Sequence, residues 1–121
     1  MLAKKHRLNL SLAIDNNGFD FQKSQRLLTK NLIVYYQHNN LSLLRVAALA
    51  PSRLFPEATK RNCCRRLIYN LIREKAKELD ENIAKNIFEE SVDVVLVYKK
   101  KDFSPADLKK DLDVVFSKIL Y

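Results

Sequence analysis

Basic side chains crowd the start of one predicted helix, in a pattern suited to holding phosphate groups. The stretch 58–78 opens with Lys60, Arg61, Arg65 and Arg66, and its acidic residues come only near its end. Helix starts ordinarily favour acidic side chains, because their free N–H groups carry partial positive charge. Cations there reduce helix stability by roughly a few tenths of a kcal/mol each, yet they form a concentrated anion site. This conflict predicts a functional role, namely contact with phosphate.

Groups for acid–base, nucleophilic or metal chemistry are sparse by comparison. His38 falls in a predicted polar turn and is expected to be solvated, while His6 lies in a basic run and is expected to contact phosphate rather than metal. The chain has one glycine and therefore no glycine-rich phosphate loop. Acidic pairs such as Glu89 and Glu90 fall where solvated faces place them. We expect no catalytic residue and no metal site in the protein itself.

The two cysteines, Cys63 and Cys64, are adjacent within the basic helix. Neighbouring cysteines on a helix point in different directions and do not readily form a disulfide, and the sequence has no zinc-type spacing. We expect Cys64 in the core, Cys63 beside the basic face, and a reducing, cytoplasmic location.

Composition favours one folded domain with a polyanionic partner. The chain has 121 residues, 47% of them apolar, and a net charge of +8. These values predict a single domain over 1–121 whose partner is a polyanion such as nucleic acid. Charge for solubility alone and an anionic membrane surface are the alternatives. No apolar run approaches the ~20 residues of a membrane span, and Met1–Leu12 is expected to be mature protein rather than a signal peptide.

Periodicity places the basic residues on a helix that packs on a sheet. An apolar stripe at helical spacing contains Cys64, Leu67, Ile68, Leu71, Ile72 and Leu79. The opposite face carries Asn62, Arg66, Tyr69, Arg73 and Lys77. Pro56 fits the start of this helix, and Thr59 is the expected cap.

Strand-like composition precedes this helix. The run Gln25–Tyr36 is rich in β-branched and aromatic residues, and Gln37–Asn40 is a turn before the next strand, Leu41–Ala50. We expect these two runs to form an antiparallel hairpin. Their side chains alternate between two faces, Ile33 with Tyr35 and Val34 with Tyr36.

A second strand-like run follows the basic helix. Four valines in Val92–Tyr98 predict a buried central strand. Ser104 then caps a closing amphipathic helix, and an early short helix is predicted over Ser11–Phe21. The order of elements predicts an α+β fold, a two-layer α-β sandwich with helices on one small sheet.

Aromatic residues near the start of the sheet suit the same kind of partner. Phe19, Phe21 and Tyr35 lie there, and aromatic faces stack on unpaired bases for ~1–3 kcal/mol each. Core packing of the two phenylalanines, and an edge-strand position for Tyr35, are the alternatives.

The basic helix resembles that of the protein component of bacterial ribonuclease P. In that family an A-x-x-R-N-R-x-K-R-like run opens the helix, and a strand of the R-V-x-x-S-V-S-K-K kind precedes it. The corresponding stretches here are 58–66, ATKRNCCRR, and 45–53, RVAALAPSR, with a basic Arg7-Leu8 pair near the N-terminus. The order of elements agrees along nearly the whole chain.

The resemblance implies the fold, the partner and the reaction. The family has an α-β sandwich of order αβββαβα, with a left-handed crossover through the basic helix against the usual right-handed rule. Its members are the protein subunit of ribonuclease P, which matures the 5′ end of tRNA. The partner RNA is the catalyst of phosphodiester hydrolysis and holds Mg²⁺, while the protein binds that RNA and the 5′ leader of precursor tRNA.

Position in these motifs implies two sets of site residues. Those expected to contact the RNA are Arg53, Lys60, Arg61, Asn62, Arg65, Arg66, Tyr69 and Arg73. Those expected in the leader cleft are Phe21 and Tyr35. Three positions depart from the family pattern, because Cys63 and Tyr69 stand where arginines are common and Ser52 where a lysine is. Each departure weakens the expected phosphate clamp.

Two other functions stay open from the sequence. A generic RNA-binding module, for instance a ribosome-associated protein, would use the same helix but would not distinguish precursor from mature tRNA. A protein-only nuclease would cleave RNA with a metal and without an RNA subunit, and no carboxylate spacing favours it.

Overall fold

The computed structural model describes residues 6–8, 21–39, 41, 43–83 and 91–120. Their regular elements are β1 (Gln25–Leu28), β2 (Leu32–His38), β3 (Arg45–Leu49), α1 (Ala58–Ile83), β4 (Val92–Tyr98) and α2 (Pro105–Leu120). The helix expected over Ser11–Phe21 lies outside the described residues, except that Phe21 occupies a turn.

The strands form one four-stranded mixed sheet in the order β1–β2–β4–β3. β4 lies inside the sheet, antiparallel to β2 and parallel to β3. Every residue of β4 except Val97 is buried, since a strand with apolar residues on both faces is stable only where both faces are covered. The central strand predicted at Val92–Tyr98 is confirmed, and so is the α+β fold, with α1 as the crossover from β3 to β4.

The predicted hairpin between the second and third strands is wrong, because β4 separates them. Val34 of β2 faces Leu96 of β4, and Ala48 of β3 faces the same Leu96 from the other side. Neighbours in sequence pair easily through a short turn, but a buried strand such as β4 needs a partner at each edge so that its backbone N–H and C=O groups are hydrogen-bonded. β3 therefore pairs with β4 through long-range contacts.

The predicted single run Gln25–Tyr36 is two strands joined by a tight turn. The Thr29 N–H donates to the Leu32 carbonyl at 3.0 Å, and the Leu32 N–H donates to the Thr29 hydroxyl at 3.1 Å. These bonds fold β1 back antiparallel onto β2. The following strand, expected to begin at Leu41, begins at Arg45 instead.

The two helices of the described residues, α1 and α2, pack on the same face of the sheet. The core between the layers includes Val34, Ile68, Ile72, Leu112 and Phe116. The side chains of β2 alternate as predicted, since Tyr36 packs on this core and Tyr35 on a smaller cluster across the sheet.

The closing helix begins as its sequence predicts. The Ser104 hydroxyl accepts the Asp107 N–H at 3.2 Å, and the Ser104 carbonyl accepts the Leu108 N–H at 3.1 Å. Ser104 is therefore the cap of α2, with Asp107 in the first turn, where an acidic residue is favoured.

The basic helix begins at Ala58 without a side-chain cap of the predicted kind. The Arg61 N–H reaches the Glu57 carbonyl at 3.1 Å, so Thr59 lies inside the first turn and its prediction as cap is wrong. That first turn holds no acidic residue. The helix continues through the polar stretch that follows its basic part and ends at Ile83.

Candidate nucleic-acid interface

The outward side of α1 presents concentrated positive charge. Cys64, Ile68 and Ile72 on its inner side are buried against the sheet. The outward residues Lys60, Asn62, Arg66 and Arg73 are exposed, and Arg61 and Arg65 are half-buried. We call these six residues the basic face. No acidic residue in the first turn offsets their charge, so this face attracts anions.

Arg61 serves the loop before α1 as well as the basic face. Its Nη1 donates to the carbonyl oxygens of Phe55 at 2.9 Å and Pro56 at 2.8 Å. These charge-assisted bonds fix the loop against the first helical turn. A guanidinium has five N–H groups, so the Arg61 side chain keeps further donors for a phosphate.

Arg65 is oriented by a neighbour on its own helix. Its Nη2 donates to Oδ1 of Asn62, three residues earlier, a spacing that brings side chains together on one helix face. Because this bond restricts the guanidinium in advance, the side chain gives up less entropy when Arg65 meets a ligand.

The loop between β3 and α1 presents Arg53 beside the start of the helix. The N–H groups of Leu54 and Phe55 both donate to the Pro51 carbonyl, at 3.0 and 2.9 Å. These two hydrogen bonds to one carbonyl make a tight turn. Arg53 is exposed on this turn, next to an exposed Ser52. The turn thus places one cation near the basic face.

An open groove of about 360 Å³ lies beside this loop. Its lining consists of Leu54, Phe55, Pro56, Glu57, Lys60, Lys101 and Asp102. Two lysines and two acidic residues balance each other there. The groove is therefore a weaker site for anions than the basic face, with which it shares Lys60.

Tyr69 does not belong to the outward face of α1. Its hydroxyl accepts the backbone N–H of Ala48 at 3.2 Å, and its ring packs on the core between the layers. The prediction that Tyr69 lies opposite the apolar stripe is wrong, because its long side chain reaches back to the edge of β3. Its direct contact with RNA stays a prediction.

Tyr98, at the end of β4, makes a second hydrogen bond between the sheet and α1, in addition to that of Tyr69. Its hydroxyl donates to the Cys64 carbonyl at 2.8 Å, and its ring lies 4.9 Å from that of Phe103 and 5.5 Å from that of Phe55, centroid to centroid. Burial raises the pKa of Tyr98 far above its usual value, with a smaller contribution from Cys64. The hydroxyl therefore remains a donor throughout the physiological range.

The two thiols are free and differ in burial, as predicted: Cys63 is exposed and Cys64 is buried. Burial raises the pKa of Cys64, Cys63 adds to the shift, and Lys60 and Arg65 oppose it. Cys64 is therefore a neutral core residue at neutral pH, and Cys63 borders the basic face.

The face of the sheet turned away from the helices carries an aromatic pair. The rings of Phe21 and Tyr35 meet edge to face, with centroids 5.0 Å apart and planes at 87°. Both are half-buried and rest on a small cluster that includes Leu8 and Val95. The structure thus brings the two predicted leader residues together, while Phe19 lies outside the described residues.

The N-terminal segment covers the outer edge of β3, which sequence reasoning missed. The Leu8 N–H donates to the Val46 carbonyl at 2.7 Å, and Nδ1 of His6 donates to the Leu44 carbonyl at 2.9 Å. His6 is buried in this position, so the predicted contact of His6 with phosphate is wrong. The segment instead protects a strand edge that would otherwise be open to pairing.

Asp93 is a further residue that sequence reasoning missed. Its buried carboxylate accepts bonds from Arg45 and from Nδ2 of Asn39. This network joins β3 and the loop before it to β4, and it thereby fixes the strand from which the chain enters α1. The sequence signal for this network is the charged Asp93 inside a run of valines. A charge at a buried position requires a partner.

Two other kinds of site find no support within the described residues. No three histidine, cysteine or acidic side chains come together there as a metal site, and neither described helix is long and apolar enough to cross a membrane.

Comparison with known proteins points to one family. The family model described as Ribonuclease P matches residues 2–120. The ribonuclease P protein component of Ureaplasma urealyticum is 29% identical over 103 residues, which cover 80% of this chain and 79% of that protein.

Solved structures show the likeness of fold. The RNase P protein of Thermotoga maritima aligns with a TM-score of 0.71 at 18% identity, over 93% of this chain and 96% of that one. The RNase P protein of Staphylococcus aureus aligns with a TM-score of 0.66 at 18% identity, over 96% of each. The family match confirms the resemblance first seen in the basic helix, and the chain belongs to the ribonuclease P protein family as the protein subunit that acts in processing the 5′ end of tRNA.

Proposed function

We propose that the basic face binds the ribonuclease P RNA and that Phe21 and Tyr35 bind the 5′ leader of precursor tRNA. The observation that carries this proposal is the placement of the two surfaces on different sides of the sheet. The cations lie on the outward side of α1, and the aromatic pair lies on the face of the sheet turned away from α1 and α2. One protein can therefore hold both RNAs at the same time.

The two surfaces suit different kinds of RNA. Arginine and lysine side chains contact the phosphate backbone whatever the sequence, as recognition of a folded RNA by its shape requires. Aromatic rings stack on bases that are unpaired, as in a single-stranded leader. The proposed contacts to the ribonuclease P RNA come from Arg53, Lys60, Arg61, Asn62, Arg65, Arg66 and Arg73.

The proposal assigns the chemistry to the RNA subunit. Mg²⁺, held mainly by that RNA, supplies the activation of water and the stabilisation of charge for phosphodiester hydrolysis. The protein's own part is to neutralise phosphates through the basic face and to orient the leader against Tyr35. The free thiols of Cys63 and Cys64 fit a reducing compartment, so the proposal places the complex in the cytoplasm.

Cleavage of precursor tRNA by the cognate ribonuclease P RNA tests the proposal. At limiting Mg²⁺, adding the protein is expected to stimulate cleavage, because its cations take over part of the neutralisation of RNA charge. The stimulation is expected to increase with leader length until the leader spans the aromatic pair. The protein without RNA is the control and should not cleave.

Two results would contradict the proposal in different ways. Absence of stimulation, with salt-sensitive RNA binding intact, would favour a generic RNA-binding role. Equal stimulation for substrates with and without a leader would keep the RNA partnership but remove the role of Phe21 and Tyr35.

A further inference from the structure

Two tyrosine hydroxyls tie α1 to the sheet on either side of the segment 65–66. The Tyr98 hydroxyl of β4 donates to the Cys64 carbonyl at 2.8 Å, and the Tyr69 hydroxyl of α1 accepts the Ala48 N–H at 3.2 Å. The two attachment points on the helix, Cys64 and Tyr69, are about 7.5 Å apart along its axis, at 1.5 Å per residue. The two central arginines of the basic face lie between them.

Apolar contacts alone do not fix the orientation of this helix. Its buried side chains Cys64, Ile68 and Ile72 are apolar, and hydrophobic burial has no preferred direction. Hydrogen bonds weaken steeply when their angle changes. A single hydrogen bond would let the helix tilt about that point. Two hydrogen bonds at different positions along the helix axis restrain both its tilt and its rotation. The direction in which the basic face points therefore depends on both bonds.

We propose that Tyr69 and Tyr98 are positioning residues for the RNA interface, which hold α1 so that Arg65 and Arg66 point outward to phosphates. Tyr69 acts through its bond to Ala48 and not through contact with RNA. This inference rests on the proposed function in one respect, namely that the basic face binds the ribonuclease P RNA. It gives Tyr69 a role different from the one its place in the motif predicts.

A double-mutant cycle on RNA affinity tests the proposal. Tyr69→Phe keeps the ring, removes the acceptor and leaves the Ala48 N–H unpaired. We expect it to weaken binding of the ribonuclease P RNA by about three- to tenfold, at a temperature where circular dichroism shows the variant folded. Arg66→Ala should then weaken binding less in the Tyr69→Phe background than in the wild type, because the arginine is already displaced.

A matched control removes the hydroxyl of a tyrosine whose hydrogen bond does not involve α1. The Tyr36 hydroxyl donates to Oε1 of Gln25 at 2.8 Å, between β2 and β1. Tyr36→Phe should leave RNA affinity unchanged and should show no coupling with Arg66→Ala. Amide exchange gives a second readout, since the Ala48 N–H should exchange faster in Tyr69→Phe but not in Tyr36→Phe.

The outcomes separate this inference from the function on which it rests. Additive effects of Tyr69→Phe and Arg66→Ala, or wild-type affinity in folded Tyr69→Phe, would overturn the positioning role. If Tyr69→Phe does not fold, the same cycle with Tyr98→Phe decides, because that variant keeps its ring in the aromatic cluster at the end of β4. If Arg66→Ala and Arg65→Ala alone leave the affinity unchanged, the basic face itself fails as the RNA site.

Discussion

The guanidinium of Arg45 lies against the carboxylate of Asp93 in a two-bond pair. Nε–H donates to Oδ1 at 2.7 Å, and Nη2–H donates to Oδ2 at 2.6 Å. The Asp93 side chain is 0% exposed and that of Arg45 is 27% exposed. Hydrogen bonding to Asp93 raises the pKa of Arg45 above its usual value, against the opposing effect of burial. This pair therefore holds β3 beside β4 by charges largely shielded from water.

Removing the charge of Asp93 should strongly destabilise the fold. Asp93→Asn is expected to lower the free energy of unfolding by about 2 kcal/mol or more, because Arg45, whose side chain is only 27% exposed, then loses its charged partner. Urea unfolding measures this. Asp113→Asn is the control, since Asp113 meets Lys75 at 2.7 Å in a more exposed pair, and it should lower stability by less than about 1 kcal/mol. Equal decreases would contradict the role given to Asp93.

Arg61→Ala and Arg66→Ala should affect different properties. Arg61→Ala removes two bonds to loop carbonyls and should lower the free energy of unfolding by about 1.5–3 kcal/mol. Arg66 is exposed, so Arg66→Ala should change stability by about 0.5 kcal/mol or less. Urea unfolding of both variants makes the comparison.

Salt dependence should report how many RNA phosphates the basic face contacts. Log affinity for the ribonuclease P RNA is expected to fall linearly with log salt, with a slope of about −0.7 to −0.9 per phosphate neutralised. Replacing Arg65 and Arg66 by alanine should reduce the magnitude of this slope by about 1 for each phosphate that the variant no longer binds. Binding titrations across a salt series measure it. An unchanged slope would show that these arginines do not contact phosphate.

Tyr35→Leu should reduce the preference for precursor over mature tRNA. Stacking on Tyr35 is expected to contribute ~1–3 kcal/mol per base, and only the precursor carries leader bases. Affinities of the complex with ribonuclease P RNA for both substrates measure the change. Leu28→Ala is the control, because Leu28 is 55% exposed on β1 and lies outside the small cluster that holds Phe21 and Tyr35. A parallel decrease in affinity for mature tRNA would contradict leader contact.

Stability should fall as the pH rises above neutral. Burial raises the pKa of Cys64 and of Tyr98, so the unfolded chain releases these two protons at lower pH than the folded protein does. Stability contributed by the two groups is thus complete below their unfolded pKa values, about 8.5 for cysteine and about 10 for tyrosine, and decreases above them. The decrease is at most about 1.4 kcal/mol per pH unit for each group.

Urea unfolding from neutral to alkaline pH tests this dependence. Cys64→Ala should remove the first part of the decline and Tyr98→Phe the second part. If the decrease in stability with pH is unchanged in both variants, other titrating groups cause it.

The features predicted correctly are those whose signals lie within one short segment. The valines of β4, the Ser104 cap and the apolar stripe of α1 each follow from the periodicity or capping chemistry of a few neighbouring residues. The alternation of Tyr35 and Tyr36 between two faces is equally local. The same holds for the exposure of Arg66 and Arg73 opposite the apolar stripe, because exposed positions of a helix follow from its period.

The features missed depend on residues far apart in the chain. Asp93 and Arg45 are 48 positions apart, and Tyr69 and Ala48 are 21 apart. Strand order and the inward reach of Tyr69 are set by such contacts, which no local pattern encodes. The burial of His6 belongs to the same class, since it depends on the edge of β3 and not on its basic neighbours.

The acid-free first turn of α1 has a consequence for the assembled particle. Lys60 and Arg61 add positive charge to helix N–H groups that are already positive. A phosphate bound at the first turn of α1 supplies the missing negative charge. Because it binds only the folded helix, its binding free energy adds to the stability of the protein. The protein should therefore melt at a higher temperature in the complex. Under the proposed function, the RNA phosphates supply the negative charge that the first turn of α1 lacks.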